Sequence, residues 1–134
     1  HTRPNFGPMT DVQFADEILD RLKERNPRFQ EKAYLFVLSA LHHVIKGLDQ
    51  PRHISGPDLA HGVRTLAINQ FGPLARTVLE HWGVHGTTDI GDIVFALVDA
   101  GILITQEGDS PEDFHGLFDF EEAFDRNYPW GAGG

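Results

Sequence analysis

Histidine side chains are the first candidates for chemistry in this 134-residue sequence, which contains eight of them and no cysteine. The absence of cysteine excludes thiolate nucleophiles, disulfides and cysteine-ligated metal sites. His81 and His85 are four residues apart, a spacing that places two metal ligands on one face of a helix. Gly83 lies between them, however, and predicts that the helix ends there. A metal site would therefore need histidines that are distant in sequence, and ordinary core or surface histidines are the simpler interpretation. The remaining candidates are His42, His43, His53, His61 and His115.

Serine gives little support for nucleophilic catalysis. The three serines are Ser39, Ser55 and Ser110, and none lies in a GxSxG motif. The sequence also has no glycine-rich phosphate-binding loop and no HExxH motif. Ser55 lies two residues from His53, but the order Ser-Gly-Pro-Asp is typical of a helix start that the serine hydroxyl caps. We therefore predict that the protein is not an enzyme, with no catalytic residue, metal ligand or cofactor.

Charge is distributed unevenly along the chain, whose formal net charge is -9. The interval between Arg76 and Arg126 contains no lysine or arginine but twelve acidic residues. These are Glu80, Asp89, Asp92, Asp99, Glu107, Asp109, Glu112, Asp113, Asp119, Glu121, Glu122 and Asp125. Because affinity for nucleic acid comes largely from bases that neutralise phosphates, we expect no nucleic acid to bind the face formed by this interval.

The acidic half is instead expected to bind a basic protein or a second copy of the chain, because an acidic surface attracts cationic proteins. An aromatic tail follows the acidic half and would add apolar contacts. The residues predicted to bind this partner are Asp89, Asp92, Asp109, Asp113, Tyr128 and Trp130.

Two polar clusters lie in otherwise apolar surroundings, Arg52-His53 and Asp109-Ser110. We predict that Arg52, His53 and Ser55 have structural roles and that Arg52 forms a salt bridge to the acidic half. The acidic loop from Glu107 to Asp113 has carboxylates spaced closely enough for calcium, but it lacks the EF-hand pattern. Its Ser-Pro-Glu-Asp order is more typical of a turn that caps a helix.

Apolar residues recur at helical spacing in five segments. We predict helices from Thr10 to Asn26-Pro27, from Pro27 to Lys46, from the Ser55 cap to Gly72-Pro73, from Pro73 to Trp82, and from a Thr87 or Thr88 cap to Ala100-Gly101. Glycines at Gly47, Gly83 and Gly101 predict helix ends. The second helix is apolar over more than half its circumference and should lie at the centre of the core.

The segments after the fifth helix predict a small β-hairpin. Ile102 to Gln106 is β-branched and apolar, and Gly116 to Phe120 alternates well enough to be its partner strand. His53-Ile54 is a candidate for a brief strand, and Glu121 to Arg126 for a short helix. The predicted fold class is therefore mainly α with a small β-hairpin.

The order helix, turn, helix and hairpin, carried by the stretch from Leu74 to Gln106, resembles the winged-helix architecture. The resemblance extends from about residue 29 to 120 and describes a winged-helix-like helical domain with an extra N-terminal helix. It implies a DNA-binding transcription regulator. The helix that would enter the major groove nevertheless carries Asp89, Asp92 and Asp99 and no base, which disfavours that ligand.

Five short motifs resemble those of a family of bacterial proteins of about this length, described as conserved hypothetical proteins. They are RHISG at Arg52 to Gly56, QFG at Gln70 to Gly72, WG at Trp82-Gly83, DIGDIVF at Asp89 to Phe95 and DSPEDF at Asp109 to Phe114. The likeness covers nearly all of the chain after Met9. It implies no particular activity.

The length of the chain suits one domain. We interpret residues 1–8, which precede the only methionine, Met9, as an addition to the native chain, and residues 9–134 as the domain, with a loose tail from about residue 127. No apolar run is long enough to cross a bilayer, and the lack of cysteine suits the cytoplasm.

The leading hypothesis is a non-catalytic protein-interaction module whose acidic face docks a protein partner. One alternative is a DNA-binding transcription regulator of the winged-helix type. The other is a small metal-dependent enzyme that uses histidines.

Overall fold

The computed structural model of the chain describes residues 16–50, 52–106 and 108–126. Most of these residues belong to five α-helices: α1 (Asp16–Arg25), α2 (Glu31–Lys46), α3 (Gly56–Phe71), α4 (Ala75–His81) and α5 (Thr87–Asp99). Shorter helical pieces are 3₁₀ turns at Gly72–Leu74 and Pro111–Phe114 and a π-helix at Glu121–Arg126. The prediction of a mainly α fold is confirmed. None of the helices in these ranges is long and apolar enough to cross a membrane.

Helix α2 lies at the centre of the core and packs against both α3 and α5. Its buried residues are Ala33, Tyr34, Phe36, Val37, Leu38, Ala40 and Leu41. Small residues bring α2 and α3 close together, since Ala40 and Ala60 are fully buried. A methyl group added at Gly62 of α3 would lie 2.3 Å from Val44 Cγ2 on α2. The central position of α2 is the one that its apolar pattern predicts.

The helix ends agree with the local signals in the sequence. Ser55 caps α3 by accepting a hydrogen bond from the Asp58 N–H, while the Asp58 carboxylate accepts one from the Ser55 N–H, both at 3.2 Å. Gly83 and Gly101 have φ angles of +99° and +84°. Each lies two residues after the last residue of its helix, in the left-handed conformation that glycine adopts most easily.

Two predicted helix starts are wrong. Helix α2 begins at Glu31 instead of Pro27, because the Phe29 N–H bonds to the Asn26 carbonyl in a turn that occupies the intervening residues. Helix α5 has Gly86 as its N-cap in place of Thr87 or Thr88. The Thr87 hydroxyl instead accepts a hydrogen bond from the Leu117 N–H at 3.2 Å. The predicted start at Thr10, residues 1–8 and the tail from about residue 127 lie outside the described residues.

The predicted β-hairpin is also wrong, and with it the winged-helix-like class. Neither Ile102–Gln106 nor Gly116–Phe120 is a strand, nor is His53-Ile54, and no strand occurs in the described ranges. The amides of Ile102 and Leu103 both bond to the Leu97 carbonyl and so complete the end of α5. The second segment is held by the Leu117–Thr87 bond and by burial of Phe120 against Phe124. Helix capping and aromatic burial therefore outweigh the strand propensity of both segments.

Candidate functional site

The acidic residues of α5 are paired with arginines from the N-terminal half of the chain. Arg28 donates to Asp89 at 2.9 Å and to Asp92 at 2.6 Å. Arg25 contacts Asp99 at 2.5 Å. Two of the residues predicted to bind a partner, Asp89 and Asp92, are therefore engaged within the molecule.

A similar pairing fixes the π-helix to α4. The Arg76 guanidinium donates to Glu80 at 2.9 Å and also to Asp125. The hydrogen bond that Arg76 donates to Glu80, followed by the one that it donates to Asp125, raises the pKa of Arg76. This arginine thus connects α4 to the end of the described chain.

An open groove of about 550 Å³ lies between α2, α3, α5 and the segment from Leu103 to Phe114. Its buried lining is apolar and consists of Leu41, Leu59, Val94, Leu103 and Phe114. Ile45 and Ile104 also line it, although their side chains are 36% and 74% exposed. They are two of the three large apolar side chains that are exposed in the described ranges, and Leu74 is the third. Sequence reasoning did not identify either isoleucine, because periodicity does not indicate which apolar residues the fold leaves uncovered.

The segment Arg52 to Gly56 forms one wall of the groove. Arg52 donates to the Asp58 carboxylate and to the His53 carbonyl, each at 2.9 Å. The hydrogen bond from Arg52 holds the pKa of Asp58 below its usual value. Arg52 and Ser55 therefore stabilise the start of α3.

The opposite wall, from Leu103 to Phe114, is joined to the first by His53. The Nε2 atom of His53 lies 3.0 Å from Asp109 Oδ1. Asp109 Oδ2 also accepts a hydrogen bond from the Gln106 N–H at 2.8 Å. The predicted salt bridge from Arg52 to the acidic half does not occur among the described residues, because the capping residue Asp58 is nearer in sequence and takes the arginine. His53 makes the connection to the acidic half.

Phe114 fixes the second wall to the helices. Two glycines make room for it, Gly91 in the middle of α5 and Gly56 at the start of α3. A methyl group at Gly91 would lie 2.9 Å from three atoms of Phe114, and one at Gly56 would lie 3.2 Å from Phe114 Cε2. Sequence reasoning missed both contacts. The only available signal was a glycine inside a helical pattern, which indicates close packing but does not identify the partner.

The histidines do not converge. His53 lines the groove, whereas His42, His43, His85 and His115 are exposed and His61 packs on Phe118 with ring centroids 5.4 Å apart. Within residues 16–50, 52–106 and 108–126, no group of three or more His, Asp or Glu side chains is placed to hold a metal ion.

The polar groups of the groove are engaged in structural bonds. The hydroxyl oxygens of Ser55 and Ser110 accept hydrogen bonds from the amides of Asp58 and Glu112. Neither serine is bonded to His53 in the described ranges. The two hydroxyl groups therefore cap the starts of α3 and of the 3₁₀ turn at Pro111–Phe114.

Of the residues predicted to bind a partner, Asp109 and Asp113 line the groove, and Asp89 and Asp92 do not. Asp113 also accepts a hydrogen bond from the Ser110 N–H at 3.1 Å. Tyr128 and Trp130 lie outside the described residues. Two of the acidic residues predicted to bind a partner, Asp109 and Asp113, therefore lie at the apolar groove.

No protein-family model matches the chain, and neither a curated protein nor a solved structure is detectably similar to it. Any assignment of function therefore depends on the groove and on the charges around it.

Proposed function

We propose that the protein is a non-catalytic interaction module that binds a partner protein in the groove between α2, α3, α5 and residues 103–114. The observation that carries this proposal is the position of Ile45 and Ile104, which leave apolar surface exposed at a groove with an apolar lining. Contiguous apolar surface of this kind is typical of protein-binding sites, because a partner that covers it removes it from water.

Three of the motifs singled out in the sequence surround this groove. RHISG is the wall formed by residues 52–56, DSPEDF covers residues 109–114 of the opposite wall, and DIGDIVF contributes Val94 and Phe95. Membership of the bacterial family that these motifs resemble remains part of the proposal. The three motifs, which are separated in the sequence, are therefore close together at this groove.

We expect the partner segment to be basic as well as apolar. The chain carries a net charge of -9, and Asp109 and Asp113 line the groove. Arg52, the arginine in the lining, is already bonded to Asp58. Opposite charge on the partner would speed its association with this surface. Tyr128 and Trp130 remain candidate contacts, and the absence of cysteine favours a cytoplasmic location for the interaction.

The DNA-binding alternative is less well supported. Helix α5, which follows the turn, has no basic residue, and its three aspartates bond to Arg25 and Arg28. Those two arginines are consequently engaged by carboxylates instead of being available for phosphates.

The test is an affinity pull-down with the purified protein and two matched variants, Ile104→Lys and Leu74→Lys. Both residues are exposed aliphatic side chains, at 74% and 60%, but only Ile104 lines the groove. We expect the wild type and Leu74→Lys to recover the same partner and Ile104→Lys to lose it, because the lysine removes apolar contact and repels a basic segment.

Thermal unfolding followed by circular dichroism serves as the folding control for both variants. Equal recovery of every bound protein by the wild type and both variants would contradict the proposal.

A further inference from the structure

One wall of the groove has unpaired main-chain groups. Residues 104–106 belong to no helix, turn or strand. The N–H groups of Ile104 and Thr105 and the carbonyls of residues 102–105 form no hydrogen bond with any residue in the described ranges. By contrast, the N–H groups on either side, at Leu103 and Gln106, are bonded to the Leu97 carbonyl and the Asp109 carboxylate.

The side chains of this segment alternate as they would on a β-strand. Leu103 is buried, Ile104 is exposed, Thr105 is half-buried and Gln106 is exposed. The residues Ile-Leu-Ile-Thr also have high strand propensity. The segment therefore has the composition and the side-chain alternation of a strand but no partner strand in the described chain.

We propose that Ile102–Gln106 acts as an edge strand to which an extended, basic segment of the partner protein adds by main-chain pairing. This inference deepens the proposed function and rests on it. Two observations identify the occupant. The free N–H and carbonyl groups on one edge of the segment can pair with complementary main-chain groups, which an extended peptide supplies. The net charge of -9 and the lining residues Asp109 and Asp113 favour basic side chains on that peptide.

Alternate residues of such a peptide would direct apolar side chains toward the groove. Leu41, Val94 and Leu103 are buried residues that would receive them. The intervening basic residues would point away from the apolar lining and remain hydrated.

The experiment uses the complete chain and a fluorescent heptapeptide of alternating lysine and valine as the probe. Two further peptides are N-methylated, one at the valines and the other at the lysines. All three have the same charge and side chains, but each methylated peptide lacks the N–H groups on one edge, since these alternate in direction along a strand. We expect one methylated peptide to bind at least about tenfold more weakly than the parent and the other to bind nearly as well.

Hydrogen exchange provides a second readout on the protein itself. We expect the parent peptide to slow exchange of the Ile104 amide at least about tenfold. The Thr105 amide should change less, because it points to the same edge as the Leu103 N–H, which is bonded to the Leu97 carbonyl. Ile104→Pro, which lacks the N–H group, should bind more weakly than Ile104→Ala, which retains it.

Equal binding of all three peptides, or no binding of the parent at millimolar concentration, would overturn strand addition. So would exchange of the Ile104 amide that is unchanged by the bound peptide. These results would leave the proposed function intact if Ile104→Lys still lost its partner in the pull-down. Equal recovery of every bound protein by the wild type and both variants in the pull-down would contradict the proposed function itself.

Discussion

Phe114 joins the groove to the helical core through a glycine on each of two helices. At Gly91, any side chain would meet the Cβ and ring atoms of Phe114 at 2.9 Å, close to the backbone where the aromatic residue cannot easily move. Gly91 is buried within α5, where glycine has a lower helix propensity than alanine. The close contact with Phe114 explains its presence, because it leaves no space for a side chain.

Gly91→Ala should therefore destabilise the protein. Alanine improves helix propensity by about 1 kcal/mol, but overpacking of a filled site typically costs about 1–3 kcal/mol. We expect a net decrease of about 1 kcal/mol in the free energy of unfolding, measured by urea denaturation. Gly47→Ala is the control, because its added methyl group meets the nearest atom at an ordinary 3.6 Å. Equal stability of the two variants would contradict the assigned packing.

Asp58 predicts a pH-dependent contribution to stability. Its folded pKa is lowered below the usual value of 3.8, mainly by the hydrogen bond from Arg52. A lowered pKa contributes stability that is present above the unfolded pKa and is lost as the pH falls through the folded pKa. Asp58→Asn should thus be less stable than the wild type at neutral pH, and the difference should shrink as the pH falls from the usual carboxyl pKa of 3.8 through the lowered folded pKa.

Urea unfolding of both proteins across this pH range measures the effect. The Arg52→Gln variant should show the same pH dependence of its stability difference, because it removes the other partner of the same bond. A difference between wild type and Asp58→Asn that stays constant down to acidic pH would argue against this role for Asp58.

At the level of elements, capping determines where α3 begins. Ser55 and Asp58 form reciprocal bonds there. A similar cap occurs at Ser110, whose hydroxyl accepts from the Glu112 N–H and whose own N–H donates to Asp113. Ser39, by contrast, is exposed on α2. Comparing Ser55 with Ser39 therefore separates the effect of the cap from the effect of replacing a serine in a helix.

Ser55→Ala should lower the free energy of unfolding by about 1 kcal/mol, because an amide at the start of α3 loses its acceptor. Ser39→Ala should be neutral or slightly stabilising, since alanine is the better helix former. Chemical denaturation of the two variants under identical conditions measures the contrast. If they were equally stable, the cap would not contribute as described.

Local signals predicted the helices better than the strands. Gly83, Gly101 and Ser55 act through residues near them in sequence, so their patterns identified the helix ends correctly. Ile102–Gln106 could form a strand of a hairpin only if another segment paired with it. The predicted partner segment, around Leu117, is bonded instead to Thr87. Strand propensity was recognisable in the sequence, but the competing partner was not.

The groove could be predicted only in part, for the same reason. Arg52, His53 and Asp109 were recognisable as polar residues in apolar surroundings. Their pairing, and the exposure of Ile45 and Ile104, result from contacts between segments that are far apart in the sequence.

At the scale of the whole molecule, folding compensates part of the charge asymmetry between the two halves of the sequence. Acidic residues of α5 and the π-helix bond to arginines that lie at or before the start of the acidic interval. These arginines are Arg25, Arg28 and Arg76. Counting charges along the chain therefore overestimated the acidity available at α5. Asp109 and Asp113 remain at the groove, where they accept hydrogen bonds from neutral backbone amides and Asp109 also contacts His53.

The double variant Arg25→Gln/Arg28→Gln should be less stable than the wild type by about 1 kcal/mol at low ionic strength, because exposed ion pairs contribute a few tenths each. The difference should shrink in about 1 M NaCl, because the Debye length falls to roughly 3 Å and exposed ion pairs are weakened by salt. Arg21→Gln/Lys32→Gln is the control: it makes the same change in net charge at residues without an ion pair in the described ranges. Equal losses in both double variants would mean that net charge, and not pairing, is responsible.

The central claim is that the groove beside Ile104 binds a partner protein. Its most direct test is site-specific photo-crosslinking in cells, with a benzophenone amino acid at position 104 or, as the matched control, at exposed position 74. We expect position 104 to give a discrete crosslinked adduct that position 74 does not give, with the adduct reduced by Val94→Lys at the apolar lining of the groove. The same adducts from both positions, or none from position 104, would contradict the claim.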